Sequence, residues 1–133
     1  MKNKVALIIG AGNSLGSSIA RVFANDGFTV VVARRNGDKL SGLAEEIKKN
    51  GGECLFYSLD ARKEDDVISL INKIENEIGE ILVAVYNIGA NIRYGILETT
   101  SRKYYKVWEM AAFGAFLMGR EVAKKMVPRK KGT

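Results

Sequence analysis

The chain contains no histidine, one cysteine and one proline. The missing imidazoles exclude histidine-ligated metal sites and every histidine-based catalytic triad. A single cysteine, Cys54, cannot close an internal disulfide, which excludes a disulfide-stapled scaffold. Long apolar runs are also missing. The opening Met1–Lys4 followed by Val5–Ile9 imitates a signal peptide, but Gly10 ends the run well short of the ~7–15 residues of a secretory core. No stretch approaches the ~18 apolar residues of a membrane span, so the expected location is the cytoplasm. Aromatics are only 8% and do not interleave with the basic residues, and the one dense basic run is Arg129–Lys131. The net charge of +6 therefore reads as a solvated surface and not as a nucleic-acid platform.

What is abundant is glycine, 14 in 133 residues, set between two alternating periodicities. Val5–Ile9, Phe28–Ala33, Cys54–Leu59 and Ile81–Tyr86 are strand-length runs rich in Val and Ile. Between them lie helical patterns: Leu15, Ile19, Val22 and Phe23 on one face, then Leu40, Leu43, Ala44 and Ile47, then Val67, Leu70, Ile71, Ile74 and Ile78. A long helix is expected from about Ser101 to Met126. Asp26-Gly27, Asn50-Gly51-Gly52 and Gly79 supply the stops. Apolar strands without polar alternation require burial on both faces, and the β-α repeat predicts a doubly wound parallel sheet, a Rossmann-type α/β fold with strand order 3-2-1-4. No internal domain boundary is visible.

The first strand-to-helix turn reads Gly10-Ala11-Gly12-Asn13-Ser14-Leu15-Gly16. Glycines there permit a sharp turn and let a pyrophosphate approach the free N–H groups of a helix N-terminus. The spacing is G-x-G-x-x-x-G, not G-x-G-x-x-G. This turn resembles the T-G-x-x-x-G-x-G of the short-chain dehydrogenase/reductase family, with Gly10 and Gly16 at its first and last glycines, Ile9 in place of Thr and Ser14 in place of the middle glycine. Three more segments are similar to the family in the same order. Leu59-Asp60-Ala61 carries the aspartate that in the family accepts from the adenine amino group. Tyr86-Asn87-Ile88-Gly89-Ala90 resembles N-N-A-G-A, with Tyr86 for the first Asn. The last helix follows the family course through Gly114, Phe116, Arg120, Met126 and Pro128. The resemblance covers essentially the whole chain. It implies a cofactor site made of Gly10, Gly12, Asn13, Ser14, Leu15, Gly16, Arg34, Arg35, Asp60, Ala61, Asn87, Gly89 and Ala90, serving oxidoreduction of an alcohol/carbonyl pair.

At the end of the second strand, where an NAD site places an acid on the ribose 2′-hydroxyl, stands Ala33-Arg34-Arg35. Guanidinium groups suit a 2′-phosphate, so NADP(H) is expected over NAD(H). Cys54, on a strand expected to be buried, reads as a small core hydrophobe. Glu45-Glu46 and Glu64-Asp65-Asp66 read as solvated faces and helix-dipole partners.

The family's catalytic machinery is a Tyr-x-x-x-Lys pair, a Ser and an Asn. Four residues after Tyr57, Tyr86, Tyr94, Tyr104 and Tyr105 stand Ala61, Ala90, Glu98, Trp108 and Glu109, so no catalytic residue is assigned. Ala111 occupies the position of the relay Asn. Residues 1–133 are expected to form one NADP-binding Rossmann domain, incomplete at its C-terminus. The apolar strand Ile81–Val85 would be left as an edge, and Val107–Gly119 is nearly apolar all round. A homodimer or homotetramer that buries these surfaces is expected. The alternative is a non-catalytic dinucleotide-sensing regulatory domain, which would need neither Tyr nor Lys.

Overall fold

The computed structural model describes residues 2–12, 14–89 and 92–133. Strands β1 (Asn3–Ile9), β2 (Thr29–Arg34), β3 (Glu53–Ser58) and β4 (Gly79–Tyr86) form one parallel sheet in the order β3-β2-β1-β4. Helices α1 (Leu15–Asn25), α2 (Ser41–Lys49), α3 (Glu64–Lys73), α4 (Ser101–Trp108) and α5 (Gly114–Arg129) cover it. Because side chains alternate across a pleated strand, β1 and β2 feed two cores. Ala6, Ile8, Val30 and Val32 meet Ala20, Leu43 and Ile47 on the α1–α2 side; Leu7, Ile9, Val31 and Ala33 meet Val67, Ile71, Leu117 and Val122 on the α3–α5 side. The doubly wound sheet and its strand order are as the β-α repeat predicts.

Three local expectations change. The apolar face read for α1 is only partly the one it buries: Ile19 and Phe23 pack against the core, but Leu15 and Val22 do not. Gly16, Ser17, Ala20 and Ala24 pack inward, while Leu15 and Val22 are 60% and 65% exposed. Close approach decides this, because a Cβ at Gly16 would lie 2.6 Å from Ala11 Cα, and only small residues let the helix come that near. The helix expected over Ser101–Met126 runs on to Arg129 and contains a π-helical turn, Glu109–Phe113, between α4 and α5. Cys54 is half-buried on the edge strand β3, packed against the α1–α2 core, and burial pushes its thiol up to about 11.

At the N-terminal end of the sheet α5 is clamped to β4. Arg129 donates to both carboxylate oxygens of Glu75 (2.8 and 2.9 Å) and to the Ile81 carbonyl, and the Ile81 N–H donates to Glu75 Oε1 at 2.9 Å. Burial opposes ionisation of Glu75, but Arg129 and the Ile81 amide win and hold it below its ordinary value. Beyond a left-handed Lys130, the chain doubles back so that Thr133 N–H donates to the Leu82 carbonyl and Ala84 N–H donates to the Thr133 carbonyl, both at 2.9 Å. Thr133 thus forms a parallel bridge on the free side of β4.

Candidate cofactor site

The strands all end on one side, and the loops leaving them enclose a cavity of about 620 Å³. Ligand sites in open α/β sheets form outside the carboxyl ends of the strands, where crossovers diverge to opposite faces. Here that divergence lies between β1 and β4, whose flanking helices sit on different sides of the sheet.

The loop after β1 is built by the backbone. Gly10 takes φ +88°, a conformation side chains rarely adopt, and a Cβ there would collide with the Asn87 carbonyl and the Ile88 side chain. Asn87 secures the loop from β4: its N–H donates to the Ile9 carbonyl at 2.8 Å and its amide Nδ2 to the Gly10 carbonyl at 3.3 Å. Ser17 donates its hydroxyl to the Gly12 carbonyl. Ser14 stands at the N-cap of α1 without a side-chain capping bond, so the first-turn amides keep the donor capacity that helix N-termini offer an anion.

The loop after β2 supplies charge. Arg34, Arg35, Asn36 and Lys39 line the cavity. Gly37 N–H donates to Ser58 Oγ at 3.0 Å, and its backbone runs so close to β3 that a Cβ would lie 2.6 Å from Ser58 N. Among the described residues, no carboxylate pairs with Arg34, Arg35 or Lys39.

After β3, Asp60 and Arg62 form a local ion pair: Arg62 Nε donates to Oδ1 at 2.9 Å, Nη2 to Oδ2 at 2.8 Å, and the Arg62 N–H to Oδ1 at 3.1 Å. These hydrogen bonds hold the Asp60 carboxyl down to about 2. The far wall is more apolar. Tyr86, Ile88 and Met110 line it, and the Tyr86 hydroxyl donates to the Met110 carbonyl within the π-turn. A Cβ at Gly114 would overlap that hydroxyl. Burial, then the charge of Asp60, raises the Tyr86 phenol above its ordinary value.

Of the residues expected from sequence, Gly10, Gly12, Arg34, Arg35, Asp60, Ala61, Asn87 and Gly89 come together around the cavity. Gly16 stands behind it, buried in the start of α1, while Ser14 and Leu15 are exposed and do not line it. Asn13 and Ala90 lie outside the described residues. Ala111 is exposed in the π-turn and does not line the cavity either. Sequence reading missed Asn36, Lys39, Arg62 and Met110. Asn36 and Lys39 follow the arginine pair closely enough to be found by extending the basic segment. Met110 carries no local signal, because only the packing of a distant helix brings it there. No cluster of metal-ligating side chains occurs among the described residues.

The sequence profile for short chain dehydrogenase matches residues 4–133. The chain belongs to the short-chain dehydrogenase family. It is 32% identical to 2-dehydro-3-deoxy-D-gluconate 5-dehydrogenase of Formosa agariphila over 133 residues, which is 99% of this chain and 50% of that relative. A short-chain dehydrogenase from Rhodopseudomonas palustris superposes with a TM-score of 0.93 at 44% identity, covering 99% of this chain and 62% of that structure. A metagenomic short-chain oxidoreductase in complex with NADP superposes with a TM-score of 0.92 at 25% identity, covering 99% and 60%. The chain thus spans about half the length of the curated relatives it matches. The family relatives are oxidoreductases, which gives no support to a sensing domain. Among the described residues, no helix is long and apolar enough to cross a membrane.

Proposed function

We propose that this chain is the NADP(H)-binding part of a cytoplasmic short-chain oxidoreductase acting on an alcohol/carbonyl pair. The observation that carries the cofactor reading is Arg34. It stands where an NAD site holds an acid, lines the same cavity as the Gly10–Gly12 turn, and is flanked by Arg35 and Lys39 with no carboxylate to neutralise them. A phosphate monoester fits such a donor set by charge-assisted, bidentate hydrogen bonds. The uncapped start of α1 fits a pyrophosphate, because its first-turn amides are not taken by a capping side chain and Gly12 leaves open space beside them. When bound, the cofactor supplies hydride.

Catalytic Ser, Tyr and Lys groups, under this proposal, belong to a part of the parent protein beyond Thr133. The parallel bridge that Thr133 makes on β4 supports a fifth strand there, as does the greater length of the relatives. Assembly as a homodimer or homotetramer is supported by an aromatic row on α4, the π-turn and α5. Tyr105, Trp108, Phe113 and Phe116 follow one another with ring centroids 5.8, 5.9 and 6.4 Å apart. Exposed patches of this kind mark interaction surfaces.

Titration by nicotinamide fluorescence tests the cofactor assignment. NADPH should bind more tightly than NADH, and Arg34→Asp should weaken NADPH by about 30-fold or more while leaving NADH within a few-fold. Equal affinities for the two dinucleotides in the unmodified chain would refute the preference.

A further inference from the structure

We propose that Tyr86 is a positioning residue for the cavity: its hydroxyl holds the π-turn Glu109–Phe113 against β4 and so keeps Met110 seated in the wall that a bound dinucleotide meets. This inference rests on the dinucleotide reading above and assigns a further residue to that same site.

The π-turn frees a carbonyl. In an α-helix the Gly114 N–H would donate to the carbonyl four residues back, that of Met110. Here it donates to the Glu109 carbonyl, five residues back, so the Met110 carbonyl loses its ordinary partner. The Tyr86 hydroxyl, 24 residues away at the end of β4, takes it. Turns of this kind concentrate at functional sites, and a half-buried carbonyl set aside by one needs a donor from elsewhere.

The contact is shaped for a phenol. A Cβ at Gly114 would overlap the hydroxyl and lie 3.2 Å from the Ala61 carbonyl oxygen, so glycine is the residue that lets the ring in. Burial, and then the charge of Asp60, raise the phenol above its ordinary value, which keeps it protonated as a donor. Two departures from the family pattern also meet at this turn. Ala111, beside Met110, has no polar side chain to bond within it, and Tyr86 supplies one from β4. The next residue, Asn87, ties the Gly10 loop. The end of β4 therefore fixes two walls of one cavity, the glycine turn through Asn87 and the more apolar wall through Tyr86 and Met110.

The test is a double-variant cycle on the full chain, with NADPH binding followed by nicotinamide fluorescence. Tyr86→Phe removes only the hydroxyl and should weaken NADPH about fivefold, the worth of one neutral hydrogen bond. Met110→Ala should weaken it at least as much. Adding Tyr86→Phe to Met110→Ala should cost less than about twofold more, because the phenol acts through the side chain already removed. Gly114→Ala should mimic Tyr86→Phe, and the pair Tyr86→Phe, Gly114→Ala should bind about as well as Tyr86→Phe alone, since the overlap goes with the hydroxyl. The turn itself is read without ligand from Trp108, the one tryptophan, which stacks on Phe113 across it at 5.9 Å. Its emission should change in Tyr86→Phe and stay as it is in Tyr104→Phe. NADPH binding by Tyr86→Phe within about twofold of the unmodified chain, losses that multiply in the double variant, or unchanged Trp108 emission would each reduce the phenol to a packing group and leave the cofactor reading intact. Absence of NADPH binding to the unmodified chain would overturn the cofactor reading itself, and this inference with it.

Discussion

The two ends of the sheet both carry arginines, and they use them in opposite ways. At the N-terminal end Arg129 is only 20% exposed, holds both oxygens of Glu75 and touches the Ile81 carbonyl, while the Ile81 amide closes the remaining gap. At the C-terminal end Arg34, Arg35 and Lys39 line a cavity whose one acid, Asp60, is paired with Arg62, and among the described residues no carboxylate pairs with them. A buried, bidentate ion pair is a structural clamp, and it holds here with the buried Arg129 Nε left without a hydrogen-bond partner among the described residues. Cations left unpaired beside a glycine-built turn are costly to cluster and gain nothing for the fold, which is the arrangement expected of residues held for an anionic ligand. Arg62 lies between the two cases, because it lines the cavity yet is already paired.

The clamp should be the most sensitive to substitution. Arg129→Met leaves Glu75 buried and unpaired, and we expect a loss of about 3 kcal/mol in urea unfolding, most of it restored when Glu75→Met is added. If the double variant is no more stable than the single one, the pair is not the clamp described here. At the other end the backbone should be nearly as sensitive as the charge is tolerant. Gly10→Ala combines a left-handed φ with overlap on Asn87, for an expected cost of about 2 kcal/mol. Arg34→Asp, by contrast, should move stability by less than about 0.5 kcal/mol while altering NADPH binding. Equal destabilisation by the two changes would erase the distinction between a rigid loop and adjustable charges.

A further effect is electrostatic. Asp60 titrates at about 2 in the fold against an ordinary value of 3.8, so its pairing with Arg62 stabilises the protein above the higher value. That contribution falls away as the pH drops through the interval between the two. The difference in unfolding free energy between wild type and Asp60→Asn should therefore be greatest above pH 4. It is expected to be on the order of 1 kcal/mol or less after solvent screening, and it should shrink toward zero near pH 2. A difference that stays flat across this range would show that the ion pair adds nothing to stability.

The apolar runs Val5–Ile9 and Thr29–Ala33, and the glycine and asparagine stops between them, specify strands, helices and order locally, which is why the parallel sheet was legible in the sequence. The glycine turn and the arginine pair were legible for the same reason, since their chemistry depends on residues adjacent in the chain. Other features depend on approach between segments far apart in sequence. Small residues won the inner face of α1 from Leu15 and Val22, because the distance between α1 and the β1 loop leaves no room for a larger side chain. The π-turn offers Tyr86 a carbonyl and carries Met110 to the cavity wall, a meeting of segments 24 residues apart. The pairing of Arg129 with Glu75 belongs to the same class, two charges 54 residues apart with no local pattern to announce them. By itself the sequence determined the fold, through periodicity, and the tight turn after β1 that lines the cavity, through glycine. Only the tertiary structure decided which arginines are spent on the protein and which remain for a ligand, because whether a charge is paired depends on what the fold brings within hydrogen-bond reach.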